Sequence, residues 1–261
     1  MRLLITFLVC VPALLWSQRY QLTAPRIVVD SVFFRQKADV QLEFDLDGAT
    51  VFYTTDGKLP AKDAPVYKKP FTVDSSTVVR AKSEHPDFLP SRFVEKQLFQ
   101  VSAVPDSIHL LTMPDTTYPG KLGSSLFDLQ KGSRDLSDGR WLGFKGDTAV
   151  VEVQFKQAEV HKLVLVSSLF DPGAWIFSPA SIEVYGKSGD KDWAPMGRWN
   201  ARTGTPWKDQ PVKYDDYQRV VLRRVKVDRL RIVVVPYGPL PEGHPGAGKP
   251  AWLFLDEIVF Q

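Results

Sequence analysis

The amino-acid sequence predicts an all-β chain of two sandwich domains, and three observations carry that prediction. Apolar side chains recur at alternate positions, as in Val40, Leu42, Phe44 and Leu46 or in Val151, Val153 and Phe155, the pattern of strands with one buried face. Turn-forming pairs punctuate these runs at short intervals: Asp47-Gly48, Asp56-Gly57, Ala64-Pro65 and Lys69-Pro70. No stretch shows a helical period, and 261 residues suffice for two such domains.

The chain opens with one positive charge, Arg2, an apolar run to Trp16 and then Ser17-Gln18, which has the form of a secretory signal over residues 1–17. The mature chain is therefore expected to start near Gln18 and to be exported, to the periplasm, the cell surface or the medium. The run falls short of the roughly 20 apolar residues of a spanning helix, so no membrane insertion is expected. Cys10, the one cysteine, lies inside this segment, where Leu8-Val9 lacks the small residue expected before a lipidated cysteine. A mature chain without thiols excludes disulfides, thiolate catalysis and cysteine-based metal sites.

Lys and Arg number 33 against 30 Asp and Glu, a formal net charge of +3 spread along the whole chain. No basic stripe marks a nucleic-acid surface, and no polybasic cluster marks anionic lipid.

Residues 24–100 form the first expected domain. Its core segments are Gly48-Ala49-Thr50-Val51-Phe52-Tyr53-Thr54-Thr55-Asp56-Gly57-Lys58-Leu59-Pro60, then Val66-Tyr67-Lys68-Lys69-Pro70-Phe71 and Thr77-Val78-Val79-Arg80-Ala81-Lys82. Together they closely resemble the immunoglobulin-like domain found on the C-terminal side of chitobiases and β-hexosaminidases. The resemblance implies an accessory spacer with no chemistry of its own. Asp56-Gly57 is expected to supply a positive-φ turn, and Tyr53 and Tyr67 to pack rather than bind.

Residues 101–119, with Pro105, Pro114 and Pro119, are expected to be a linker, and 120–261 the second domain. Strand patterns recur there at Val150–Phe155, Lys162–Val166, Ser181–Gly186, Arg229–Val235 and Leu253–Phe260. Five ordered segments resemble discoidin domains, also called coagulation-factor type C domains, in the version appended to bacterial family 20 glycoside hydrolases. They are Leu126–Ser133, Asp138–Phe144, Gly173–Pro179, Val184–Trp193 and His244–Ile258. The resemblance implies a jelly-roll β-sandwich whose end loops bind a ligand, in many relatives a sugar.

Two departures from the family pattern stand out. Its Leu-Thr-Asp-Gly opening is Leu126-Phe127-Asp128-Leu129 here, and its Asp-Leu-Gly strand ending is Val153-Gln154-Phe155-Lys156. The family's structural Ca2+ would draw on Asp128, Ser133 and Glu257 with backbone carbonyls, since calcium takes about six to eight oxygens. The alternative is that Asp128 only stabilises a turn and Glu257 faces solvent.

Sugar sites combine an aromatic platform with a few hydrogen-bonding groups. Every tryptophan after the signal segment lies in the second domain. Trp141 and Trp193 are expected to pack; Trp175, Trp207 and Trp252, in glycine- or polar-rich loops, are the candidate platforms, with His244 and Arg134 as polar candidates. An amino-sugar- or galactose-containing glycan is the expected partner. A protein-interaction or adhesive module is the second reading, and a hydrolase the third. The hydrolase reading lacks support, because Asp256 and Glu257 are adjacent on a strand and should point to opposite faces, and no nucleophile elbow, His-Glu-x-x-His or phosphate loop occurs.

Overall fold

The computed structural model describes residues 20–201, 207–208 and 210–261; the expected signal segment lies outside them. The protein is all-β, and among the described residues no helix is long and apolar enough to cross a membrane. Two compact units form. Among the described residues, one contains 20–28, 41–70 and 78–96, and the other 29–40, 71–77 and those from 97 to 261.

The first strands are β1 (Arg26–Val28), β2 (Phe33–Phe34), β3 (Ala38–Glu43), β4 (Thr50–Thr54), β5 (Phe71–Val73), β6 (Thr77–Glu84) and β7 (Val94–Gln100). Along β3 the small and apolar Ala38, Val40 and Leu42 are buried while Asp39 and Gln41 are exposed, as alternation requires. Phe44 and Leu46 fall beyond the strand, and Leu46 is exposed. In the first unit β1 pairs antiparallel with the end of β3, and β4 with β6. Gly57 has the expected positive φ of 76°, and the Asp56 carboxylate accepts the Lys58 N–H, which holds its pKa below the usual range. Tyr53 and Tyr67 pack edge to face, with ring centroids 6.3 Å apart.

The second unit takes in three stretches of the segment expected to be the first domain, 29–40, 71–77 and 97–100. The reason is a shared apolar cluster: Phe33, Phe99 and Val101 pack with Leu165 and Val259. Gln261 completes the attachment by donating to the Gln100 carbonyl and the Ser76 hydroxyl.

The remaining strands are β8 (Ser107–Leu110), β9 (Leu142–Lys145), β10 (Ala149–Val160), β11 (Leu163–Phe170), β12 (Ser181–Lys187), β13 (Ala194–Asn200), β14 (Lys213–Val221), β15 (Lys226–Val235) and β16 (Trp252–Phe260). They form a sandwich of one sheet in the order β13-β12-β15-β10-β8 and another in the order β14-β11-β16-β9. Inward residues of both sheets, among them Val151, Val153, Ile232, Val166 and Ile258, make one core. Each fully buried aliphatic of this kind contributes about 1.5–3 kcal/mol.

The stretch 101–119 is not a plain linker. Ser107-Ile108-His109-Leu110 is itself alternating, and as β8 it pairs with β10 and lays Ile108 and Leu110 against the core. A second difference concerns β16. Ser167 pairs with Glu257 and Ser168 with Leu255, so Asp256 is the extra residue of a β-bulge. The bulge breaks the alternation, and Asp256 and Glu257 are both buried.

Candidate functional site

A cleft of about 640 Å3 opens in the second unit beside the ends of β11, β13 and β14. Its apolar wall is aromatic: Phe170 and Phe177 form the buried floor, with Trp199, Trp207 and the 40% exposed Tyr237 at the sides. Polar groups converge from Asn200 on β13, from Lys213, Asp216 and Gln218 on β14, and from Ser178. A smaller hollow of about 330 Å3 between β12 and β13 offers one ring, Tyr185, whose hydroxyl is already bonded to Glu183.

Asp216 organises the polar wall. Its Oδ2 accepts from the Ser178 hydroxyl at 2.5 Å, the Gln218 amide at 2.7 Å and the Ser168 hydroxyl at 3.3 Å. Ser168 lies directly across the strand pair from Asp216, and Gln218 lies two residues on, on the same face of β14. The Ser178 and Gln218 donors fix the carboxylate in the cleft wall, and the single Ser168 proton is shared between this oxygen and Gln218 Oε1 at 3.1 Å. Lys213 Nζ lies 5.4 Å from the centre of the Phe170 ring and 3.1 Å from Gln210 Oε1.

Of the candidate platforms, Trp207 lines the cleft and Trp175 stands behind it. Residues 171–176 form a tight loop in which the Asp171 and Ile176 N–H groups each bond the other residue's carbonyl, and Trp175 takes the left-handed conformation at φ 67°. Trp175 and Trp207 both pack against the cluster of Phe170, Phe177, Leu240 and Ala251.

His244 is not a free polar contact. It is 5% exposed, and both ring nitrogens are used: Nδ1 accepts the Gly246 N–H at 3.0 Å, so Nε2 carries the proton and donates to the Pro172 carbonyl at 2.8 Å. Its ring also meets Trp207 and Trp175, with centroids 5.0 and 6.0 Å away. The glycine at 246 permits this packing, since a Cβ there would lie 2.9 Å from Leu240 and 3.0 Å from the Trp175 ring.

Trp252 and Arg134 lie outside the cleft lining. Trp252 opens β16, packs with Tyr118 and Phe254 and carries Lys145 over its ring, and Arg134 is exposed with its guanidinium over Tyr214. Trp141 is fully buried, whereas Trp193 is half-buried under the Arg231 guanidinium. Tyr237, Trp199, Asp216 and Gln218 line the cleft without being among the candidate residues named from the sequence. The alternation of Asp216 and Gln218 along one strand face is the signal that could have found them.

Asp128 and Ser133, two of the three residues implied for calcium, already have protein partners. Among the described residues no group of three His, Cys, Asp or Glu could hold a metal ion. Ser133 Oγ accepts the Asp135 N–H, and Asp128 accepts the Gln130 N–H and pairs with Lys121. The loop carbonyls are taken too: Leu129 accepts from Ser31 Oγ, Lys131 from Arg140, and Ser133 from Trp141 Nε1. Leu129, where the family has glycine, keeps a positive φ of 62°.

Glu257 does not face solvent: it is 1% exposed, and neither carboxyl oxygen has a hydrogen-bond partner. Burial, then the charges of Asp256 and Asp128, pushes its pKa up to about 10, against the smaller pull of the Leu129 N–H and the Lys131 ammonium. The acid is therefore protonated at neutral pH.

Residues 30–92 match the Chitobiase/beta-hexosaminidase C-terminal domain. The chitobiase-type segment thus covers β2 to β6 and falls within the expected first domain. Solved structures of low identity align with a larger part of the chain. Chitosan-binding module 1 of a chitosanase/glucanase from Paenibacillus sp. IK-5 is 12% identical over 61% of this chain and 96% of its own, with a TM-score of 0.37. CpGH89CBM32-5 from Clostridium perfringens, in complex with GalNAc-beta-1,3-galactose, is 11% identical over 59% of this chain and 93% of its own, with a TM-score of 0.38. A Ruminococcus gnavus GH29 fucosidase is 8% identical over 59% of this chain, with a TM-score of 0.36, and the alignment spans 24% of the fucosidase. No curated protein matches the chain.

Proposed function

We propose that the chain is a non-catalytic, exported glycan-binding protein that takes an amino-sugar- or galactose-containing glycan into the cleft beside Trp207. The observation that carries this reading is the pairing of an aromatic wall, Trp199, Trp207 and Tyr237, with the fixed carboxylate of Asp216 in one concave site. A sugar presents an apolar C–H face and a ring of hydroxyls, and this cleft offers a partner to each. The match of residues 30–92 to an accessory domain of amino-sugar hydrolases supports the amino-sugar class.

The hydrolase reading is weaker. A glycosidase works with two carboxyl groups across the scissile bond, and Asp216 is the one carboxylate among the described residues lining the cleft. The adhesive reading predicts a flat apolar patch, whereas this site is concave.

Titration calorimetry against galactose, N-acetylgalactosamine, N-acetylglucosamine oligomers and their deacetylated forms tests the proposal. Saturable binding to at least one supports it. Absence of binding across the whole set, with folded protein, rejects it.

A further inference from the structure

We propose that Lys131 is a built-in cation for the acidic bulge of β16, filling with its ammonium the role a bound metal would have, so that the second unit needs no calcium. Lys131 Nζ lies 2.7 Å from Asp256 Oδ2, and the same oxygen accepts the Gly132 N–H at 2.7 Å. The Asp256 side chain is fully buried and that of Lys131 is 18% exposed, so this is an interior ion pair rather than a surface one.

The surroundings are built to keep the ammonium in place. It stands 4.7 Å from the centre of the Trp141 ring and 6.0 Å from that of Tyr217, two electron-rich faces that favour a cation. Gly132 lets the loop lie against Trp141, because a Cβ there would fall 2.1 Å from the indole. Ser31, Arg140 and Trp141 donate to the carbonyls of Leu129, Lys131 and Ser133, which turns toward protein donors the oxygens that calcium would need. A divalent ion beside a fixed ammonium in this low-dielectric interior would also meet strong repulsion.

The position of Lys131 makes the case specific. It follows the Leu126-Phe127-Asp128-Leu129 departure by two residues, so the altered loop also carries the charge. One substitution exchanges the two kinds of cation: removing the ammonium should leave Asp256 and Glu257 open to a metal.

The test has two arms. Wild-type protein purified in calcium-containing buffer and then desalted is assayed for metal by plasma mass spectrometry, and melted with and without EDTA. The proposal expects substoichiometric calcium and the same Tm in both melts; one calcium per chain, or a Tm that falls in EDTA, overturns it. Lys131→Met is then melted with and without calcium. A Tm lower by about 10 °C, partly restored by calcium, is expected for a broken interior pair in a unit of this size. A folded Lys131→Met that ignores calcium overturns the claim that ammonium and metal are interchangeable. If that variant does not fold, the wild-type metal content and EDTA melt still decide.

Discussion

The edge of the His244 ring meets Trp207 with centroids 5.0 Å apart, and the same imidazole is pinned to the Pro172 carbonyl and the Gly246 N–H. A histidine expected to touch ligand instead backs the ring that lines the cleft. His244→Ala removes two buried hydrogen bonds and leaves a void under Trp207, so it should cost about 2–3 kcal/mol of stability. Denaturant unfolding measures that loss. Glycan affinity should fall as well, although His244 does not line the cleft.

Asp216 gives a contrasting case. Asp216→Ala strips the acceptor from the Gln218 amide and the Ser178 hydroxyl, while Ser168 keeps Gln218 Oε1, and should destabilise by about 1–3 kcal/mol for each group left unsatisfied. Asp216→Asn keeps the shape and one acceptor, so most stability should remain while binding weakens. Parallel melts and calorimetric titrations of the two variants separate scaffold from contact. Equal stability of Asp216→Ala and wild type would contradict the network described.

The stability of the second unit should respond to pH from both sides. His161 is 1% exposed, lies against the Phe155 and Phe260 rings, and has its pKa lowered to about 4 by burial. Its unfolded pKa, near 6.5, is the higher one, so the unfolded chain takes up the proton first and stability is lost as pH falls from about 6.5 toward 4. His161→Phe should remove that slope in pH-dependent melts.

Glu257 has the opposite sign. Its folded pKa of about 10 exceeds the unfolded value near 4.5, so its protonated form favours folding at low pH and stability drains as pH rises between those limits. Glu257→Gln should therefore gain on wild type progressively from pH 5 to 9 in pH-dependent melts. If a metal neutralised Glu257, the same change would destabilise instead.

How far the sequence could be read follows from what each signal encodes. Alternation in β3 and β10 and the turn at Asp56-Gly57 are local, and they survive intact in the fold. The Phe33–Phe99 cluster joins residues to Leu165 and Val259 far along the chain, so no window of sequence could show that these strands belong to the second unit. The bulge at Asp256 had the same effect on the acidic pair, since an inserted residue changes which way side chains point without altering composition.

Among the site residues, Trp207 was legible from its polar, turn-rich loop, whereas Trp252 looked equally exposed and lies on a strand among Tyr118 and Phe254. A glycine-rich loop shows that backbone can approach something. It does not distinguish a ligand from the protein's own histidine, and here the loop packs around the buried His244.

The cleft is tested most directly by comparing wild type with Trp207→Ala in titration calorimetry, using the tightest glycan of the panel. Trp207 is partly exposed but packs on the Phe170–Phe177 cluster, so a parallel melt establishes that the variant is folded at the temperature of the titration. Loss of its ring should weaken binding at least about tenfold, or about 1.4 kcal/mol. Unchanged affinity in folded Trp207→Ala, with binding abolished instead by Trp252→Ala, would place the ligand elsewhere and contradict the account.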